Sequence, residues 1–461
     1  MSHFVSHESI RNRFSTIMSE MYRDEVPLYG ELLALVHDVN DKALVNSPAL
    51  KNQLEHTGEL SRLNMERHGA IRLGKPEELF TMRRLFAVMG MFPVGYYDLA
   101  PAGVPVHSTA FRALDDTALN QSPFRVFTSL LRLDLIADET LRQQASDILD
   151  KRQIFTDAAL ALIEKAEKQG GLDAEDAETF VHEALETFRW HKTSTVSHEM
   201  YQALLNQHRL VADVVAFRGP HINHLTPRTL DIDEIQMGMS QRNITPKAVI
   251  EGPPRRNCPI LLRQTSFKAL NEAVVFTGDG GKAQSGHHTA RFGEIEQRGV
   301  AVTEKGQALY DKLLGETRAA IGGAPSEENA EEYNRILAQT FKGYPDTYEA
   351  LYAEKLAYFH HFATDKKLPD DRTVTAEDMP DLIADGYVCI EPMVYEDFLP
   401  VSAAGIFQSN LGDDEEKSYD STSNQTLFER DLGTTVNDLM GWYETKQAES
   451  ISHCLRRLNE R

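Results

Sequence analysis

Cysteine is scarce in this chain: three residues, Cys258, Cys389 and Cys454, stand far apart and are odd in number. That excludes a disulfide framework and a cysteine-based zinc site, and it suits a reducing cytosol. No run approaches the ~20 apolar residues that a membrane span requires. The opening stretch MSHFVSHESIRNRFSTIMSEMY has no apolar core of signal-peptide length. The expectation is a soluble cytoplasmic protein. Positive charge is also short, with 48 Lys and Arg against 70 Asp and Glu, a net charge of −22. A nucleic-acid binder needs a basic footprint, so that class is set aside. A small anionic ligand needs only one or two local arginines and stays open. The glycine-rich TGDGGKAQSGHH lacks the P-loop pattern and is not a phosphate site.

At 461 residues the chain has room for two or three packed domains, or one domain with large insertions. Residues 1–66 read as helical, with a serine N-cap ahead of SHESIRNRFSTIMSEMY. RHGAIRLG can be extended. KPEELFTMRRLFAVMG predicts a helix, with Pro76 in its first turn, Glu77 and Glu78 beside it and Gly90 at its end. FPVGYYDLA, VPVHSTAFRAL and FRVFTSLLRLDL then read as strands, so residues 67–135 run strand, helix, strand, strand, strand. Residues 136–211 predict amphipathic helices whose acidic faces are solvated surface.

The same order returns in residues 212–303. VVAFRGPHINHLTPR is strand-like, DIDEIQMGMSQRN forms a short helix, and KAVIEGPPRR, PILLRQTSFKAL and ARFGEIEQRGVAVT are extended candidates. The repeat lies in element order alone, without evident identity between the copies. Residues 304–461 predict further helices, His360 and His361 among them as packing residues, and an extended segment ending FLPVSAAGIFQSNL. The fold class expected is α+β, with two βαβββ modules forming a central curved sheet and large helical insertions.

On this scheme His68 lies on the first strand of one module, and His224 on the first strand of the other. Glu294 lies on the last strand of the second module. Two histidines and a carboxylate form a facial triad that binds Fe(II) and leaves positions open for substrate and O2, whereas a structural zinc site is closed by four ligands. His221 competes with His224, and on a strand only one of the two can point inward. Glu296 competes with Glu294 on the same face, so parity does not separate them. His287 and His288 follow the glycine-rich stretch and are expected in a surface loop. Arg72 is four residues from His68, on the same face of a strand and roughly 13 Å away. It can bind one carboxylate of a diacid while a metal chelates the other end, its planar fork suiting a carboxylate. The plainer reading of Arg72 is a surface ion pair with Glu77 or Glu78.

RHGAIR, HINHLTPR, RFGEIEQRG and FLPVSAAGIFQSNL together resemble the 2-oxoadipate dioxygenase/decarboxylase (hydroxyglutarate synthase) family, and the paired modules resemble the vicinal oxygen chelate superfamily. The resemblance spans nearly the whole chain. It implies a non-haem Fe(II) enzyme that converts 2-oxoadipate and O2 to 2-hydroxyglutarate and CO2 in lysine breakdown. It also implies that His68, His224 and Glu294 hold the metal. His68, Arg72, His224 and Val401 would contact the substrate. Two other classes use the same residues: a zinc-dependent hydrolase or isomerase acting on a small carboxylic acid, and a non-catalytic acid-binding protein.

Overall fold

The computed structural model describes residues 4–277, 283–322, 325–369, 373–399 and 424–460. Val401 and the acidic stretch beyond it lie outside these. Eleven strands are present among the described residues: β1 Arg67–Leu73, β2 Phe92–Asp98, β3 Val106–Arg112, β4 Phe124–Leu131, β5 Leu225–Pro227, β6 Leu262–Ser266, β7 Asn271–Thr277, β8 Ala283–Thr289, β9 Glu294–Arg298, β10 Phe359–Ala363 and β11 Val388–Pro392.

The chain starts with a helix, His7–Glu25, capped by the Ser6 hydroxyl accepting from Ser9 N. A second helix, Pro27–Asn46, follows with proline in its first turn. The predicted helix after β1 is Pro76–Val88, and Gly90 takes a left-handed φ of 65° just past its end. Leu79, Met82, Leu85 and Phe86 of that helix are buried in the largest apolar cluster with Ile71 and Leu73 of β1. The other face of β1 is then left for His68 and Arg72, because side chains alternate along a strand.

Residues 67–131 run strand, helix, strand, strand, strand, with a further short helix, Asp116–Gln121, between the last two strands. The sheet order is β2-β3-β4-β1-β5, with β1 parallel to β4 and antiparallel to β5. The second module is reduced to fragments in the same order. Arg228, after β5, bridges in parallel to Glu296 of β9; β9 pairs antiparallel with β6; and Glu251 bridges antiparallel to Gln264 of β6. KAVIEGPPRR, read as a strand, makes only that bridge, because its two prolines lack the N–H that a ladder requires.

Three further expectations need correction. VVAFRGPHINHLTPR is not one strand: Val214 and Val215 end a helix, Arg209–Val215, and only Leu225–Pro227 is extended. Val211, Val214 and Val215 are all buried in one apolar cluster, and packing on every side erases the period on which a sequence reading relies. His287 and His288 are not in a surface loop but in β8, which pairs with β7, and His288 is fully buried. His360 and His361 lie on β10, paired with β11, rather than on a helix; Phe359 and His361 are buried in a period of two.

The register of β1 against β5 decides the geometry of the site. His68 is opposite Thr226 and Gly69 opposite Leu225, so His224 arrives beside β1 one residue before the pairing begins. The Tyr22 hydroxyl reinforces this from the first helix. It lies 3.0 Å from the Asn223 carbonyl and 2.7 Å from that of Phe292, and so fixes the segments that lead into His224 and Glu294.

Gly69 keeps this approach close. A Cβ there would stand 2.5 Å from Ile222 Cδ1 and 3.3 Å from the His224 carbonyl. Gly69→Ala is expected to lower stability by about 1–3 kcal/mol, as overpacking does, and to reduce bound metal. Ile222→Val removes the offending methyl, so Gly69→Ala/Ile222→Val should regain part of the loss in thermal unfolding. A double variant no better than Gly69→Ala would place the strain elsewhere.

Candidate metal centre

β1, the turn before β5 and the first residue of β9 each supply one side chain to a buried cluster of His68, His224 and Glu294. One ligand atom from each lies within 4.8 Å of the others. His68 Nε2 is 3.1 Å and His224 Nε2 3.6 Å from Glu294 Oε1. The Thr226 hydroxyl and the Gln264 amide each donate to that oxygen at 3.0 Å. Phe398 packs edge-on against His68, and Phe292 lies against His224, with ring centres 4.8 and 4.9 Å apart.

The donor set suits a metal cation. Burial pushes the Glu294 carboxyl up, but the two imidazoles outweigh it and hold it at about 2. Burial pushes His224 down to about 4, so it is neutral at ordinary pH and presents a lone pair. His68 is also pushed down by burial, and is raised overall by Glu296 and Glu294. Its Nδ1 stands 2.9 Å from Glu296 Oε2, so Nε2 is the atom turned toward Glu294 and His224. Glu296 and Glu294 therefore approach opposite edges of the His68 ring, a distinction that parity along the strand could not make. Glu296 lies on the far side of that ring, where a carboxylate fixes the tautomer and raises the basicity of a ligating histidine. Among the described residues no other cluster of three such ligands occurs.

Behind Glu296 is a buried charge network. Arg298 contacts Glu296 at 2.8 Å and Glu66 at 3.1 Å. Arg125 and Arg228 also reach Glu66, at 2.9 and 3.2 Å. Arg62 and Arg125 pair with Glu396, and Arg112 with Asp397, next to the Phe398 that packs on His68. A 410 Å³ cleft lined in part by Arg228, Arg263 and Arg298 includes none of the three clustered ligands.

Arg72 is only partly buried and pairs with neither Glu77 nor Glu78. Its Nη1 donates to Asp213 Oδ2 at 2.7 Å. His221, the competitor of His224, is buried as well but turned to the same aspartate, 3.3 Å from Oδ1. His288 reaches that oxygen at 2.8 Å. Asp213, Gln264 and Phe398 were not singled out from the sequence, and Glu296 was named there only as a rival of Glu294. Asp213 had a signal: one acid inside the apolar run RLVADVV, where a buried charge requires partners.

Comparison with known proteins settles the family. Residues 14–410 match the family model described as 2-oxoadipate dioxygenase/decarboxylase. The chain belongs to this family. A relative of that name in Pseudomonas putida is 59% identical, covering 99% of this chain and 98% of the relative. One in Escherichia coli K12 is 52% identical over 98% of this chain and 99% of its own. The crystal structure of the Pseudomonas putida hydroxyglutarate synthase in complex with 2-oxoadipate superposes with a TM-score of 0.91 at 56% identity, over the whole of both chains. No helix among the described residues is long and apolar enough to cross a membrane.

The two glutamates are expected to separate in metal analysis. Glu294→Gln should lose nearly all bound metal. Glu296→Gln should keep the site, with affinity reduced about tenfold to a hundredfold, as for outer partners of ligating histidines. The reverse order would exchange their roles.

Proposed function

We propose that this chain is an Fe(II)-dependent dioxygenase that converts 2-oxoadipate and O2 to 2-hydroxyglutarate and CO2. The observation behind this reading is the buried trio of two imidazoles and one carboxylate, with no fourth protein ligand beside it among the described residues, in a member of this family. The reaction balances without a second organic substrate: the six-carbon acid loses one carbon as CO2, and both atoms of O2 end in the products.

His68, His224 and Glu294 would hold the iron on one face, a donor set that leaves positions for a chelating 2-oxo acid and for O2. Bound iron supplies oxygen activation, which no amino-acid side chain can. The chain's own residues bind, orient and exclude. Arg72, on the same face of β1 as His68, receives the distal carboxylate, and the guanidinium fork gives that contact direction as well as charge. Phe292 and Phe398 pack on the two imidazoles and limit water around them. Glu296 keeps the His68 Nε2 lone pair toward the metal. Val401 is a further substrate contact on this reading; it lies outside the described residues. The matching strand order of residues 67–135 and 212–303 supports two modules of the vicinal oxygen chelate kind, with residues 136–211 inserted between them. A cytosolic role in lysine breakdown fits the same assignment.

Protein purified without oxygen and supplied with Fe(II), O2 and a panel of 2-oxo acids should release CO2 fastest from 2-oxoadipate. Zinc in place of iron, with hydrolysis or isomerisation and no CO2, would overturn the reading. Arg72→Ala should retain iron and lose about tenfold to a hundredfold in kcat/KM on 2-oxoadipate, the worth of one charge-assisted hydrogen bond of about 1.5–3 kcal/mol. On 2-oxohexanoate, which has no distal carboxylate, the loss should be small. Equal losses on both would mean that Arg72 supports the fold or the metal instead.

A further inference from the structure

Arg72 is the residue on which the choice of a diacid rests, and a lone arginine is a poor instrument for choosing. Its side chain has several rotatable bonds, and a mobile guanidinium accepts anions at many distances. Here one arm is tied. Among the described residues, Asp213 is its one hydrogen-bonding partner.

Asp213 is itself held from the other side. It lies in the helix Arg209–Val215, 5% exposed, and its Oδ1 faces His288 Nε2 at 2.8 Å and His221 Nε2 at 3.3 Å. The Tyr201 hydroxyl stands 2.9 Å from His288 Nδ1. With Nδ1 accepting from Tyr201, Nε2 carries the ring proton and donates to Asp213. The His288 ring is stacked on Trp190, with 6° between the planes, so it cannot turn freely. A fixed chain therefore runs Tyr201, His288, Asp213, Arg72, each member oriented by the one before it. Burial pushes the Asp213 carboxyl up, but His221, His288 and Arg72 outweigh it and keep it well below the usual range.

None of these groups except Arg72 is given a role by the metal chemistry. Burying an aspartate and two histidines beside a substrate arginine costs desolvation that a hydrophobic filling would avoid. What the cluster does supply is a guanidinium with a single orientation.

We propose that Asp213, oriented by His288 and Tyr201, is a positioning residue that aims Arg72 at the distal carboxylate and so sets the preference for a diacid over a mono-acid of the same length. The inference rests on Arg72 being the distal-carboxylate contact. One of its guanidinium nitrogens is committed to Asp213 Oδ2, and the others stay available to the ligand. Asp213 also lowers the net positive charge of the pocket, so that an anion is held for its geometry more than for its charge.

Asp213→Asn keeps the shape and removes the charge. The measurement is kcat and KM on 2-oxoadipate and 2-oxohexanoate, with iron content, for the wild type, Asp213→Asn, Arg72→Ala and the double variant. The expected result is a KM for 2-oxoadipate raised about tenfold with kcat within about twofold, a loss of binding rather than of chemistry. Values on 2-oxohexanoate and the iron content should be nearly unchanged. In the Arg72→Ala background, Asp213→Asn should add nothing to the loss of preference, since the two act as one unit. His288→Phe retains the stacking on Trp190 and removes the nitrogen that orients Asp213. It should cut the preference by roughly threefold, and it decides the matter if Asp213→Asn does not fold. A selective loss in Arg72→Ala with an unchanged preference in Asp213→Asn or His288→Phe would overturn this proposal alone. Equal losses on both substrates in Arg72→Ala would overturn the role of Arg72 and this proposal together.

Discussion

Glu66 has no exposed surface, accepts hydrogen bonds from Arg125 and Arg228, and is ion-paired with Arg298 at 3.1 Å. Each arginine comes from a different part of the chain: β4, the residue after β5, and β9. Arg298 passes the constraint on to Glu296, and Glu296 to the outer nitrogen of His68. The position of His68 thus depends on a carboxylate two residues before it in sequence, through a path that crosses the sheet and returns. Buried charges of this kind are costly unless every member is paired, and removing one member typically costs about 3–5 kcal/mol because its partner is left uncompensated. The strands that carry the ligands are therefore locked in register by electrostatics as well as by their ladders.

The short β5 makes this lock necessary. Three residues give few hydrogen bonds, and a slip of one residue would turn Thr226 away from Glu294 and His224 away from His68. Arg228, the residue after β5, is held by both Glu59 and Glu66. The Tyr22 hydroxyl holds the backbone on the other side of His224. What the strand lacks in length is supplied at its two ends.

The strands and the first helix of residues 67–131 were legible in the sequence, and the short helix Asp116–Gln121 was not. The strands alternate or are bounded by glycine and proline, and the first helix has proline, acids and glycine in their expected places. The second module was legible in order and not in extent. Valines 214 and 215 are buried in a helix with Val211 packed in the same cluster and so read as a strand, and prolines 253 and 254 break a segment that reads as extended. His288 was misplaced because glycines beside it suggest a loop, while its own burial comes from Tyr201, Trp190 and Phe217, which are far away in sequence. At the site, spacing along β1 gave His68 and Arg72 a common face. The choice between Glu294 and Glu296 needed the third dimension: both are buried and both approach His68, from opposite edges of one ring.

The separation of the ligands along the chain has a consequence for how the protein is made. His68 and Glu294 are 226 residues apart, and the clamp on their surroundings comes from Tyr22, near the start. During synthesis, at about 5–20 residues per second, His68 emerges at least ten seconds before its last partner. The edge of β1 stays open until β5 has been made, and through the whole interval the His68 imidazole lacks its carboxylate. No metal can be captured by the complete trio until β9 has left the ribosome and paired. A cation held by all three side chains is therefore acquired late in the life of each molecule, and any cation taken up earlier is held by fewer of them and can still be exchanged.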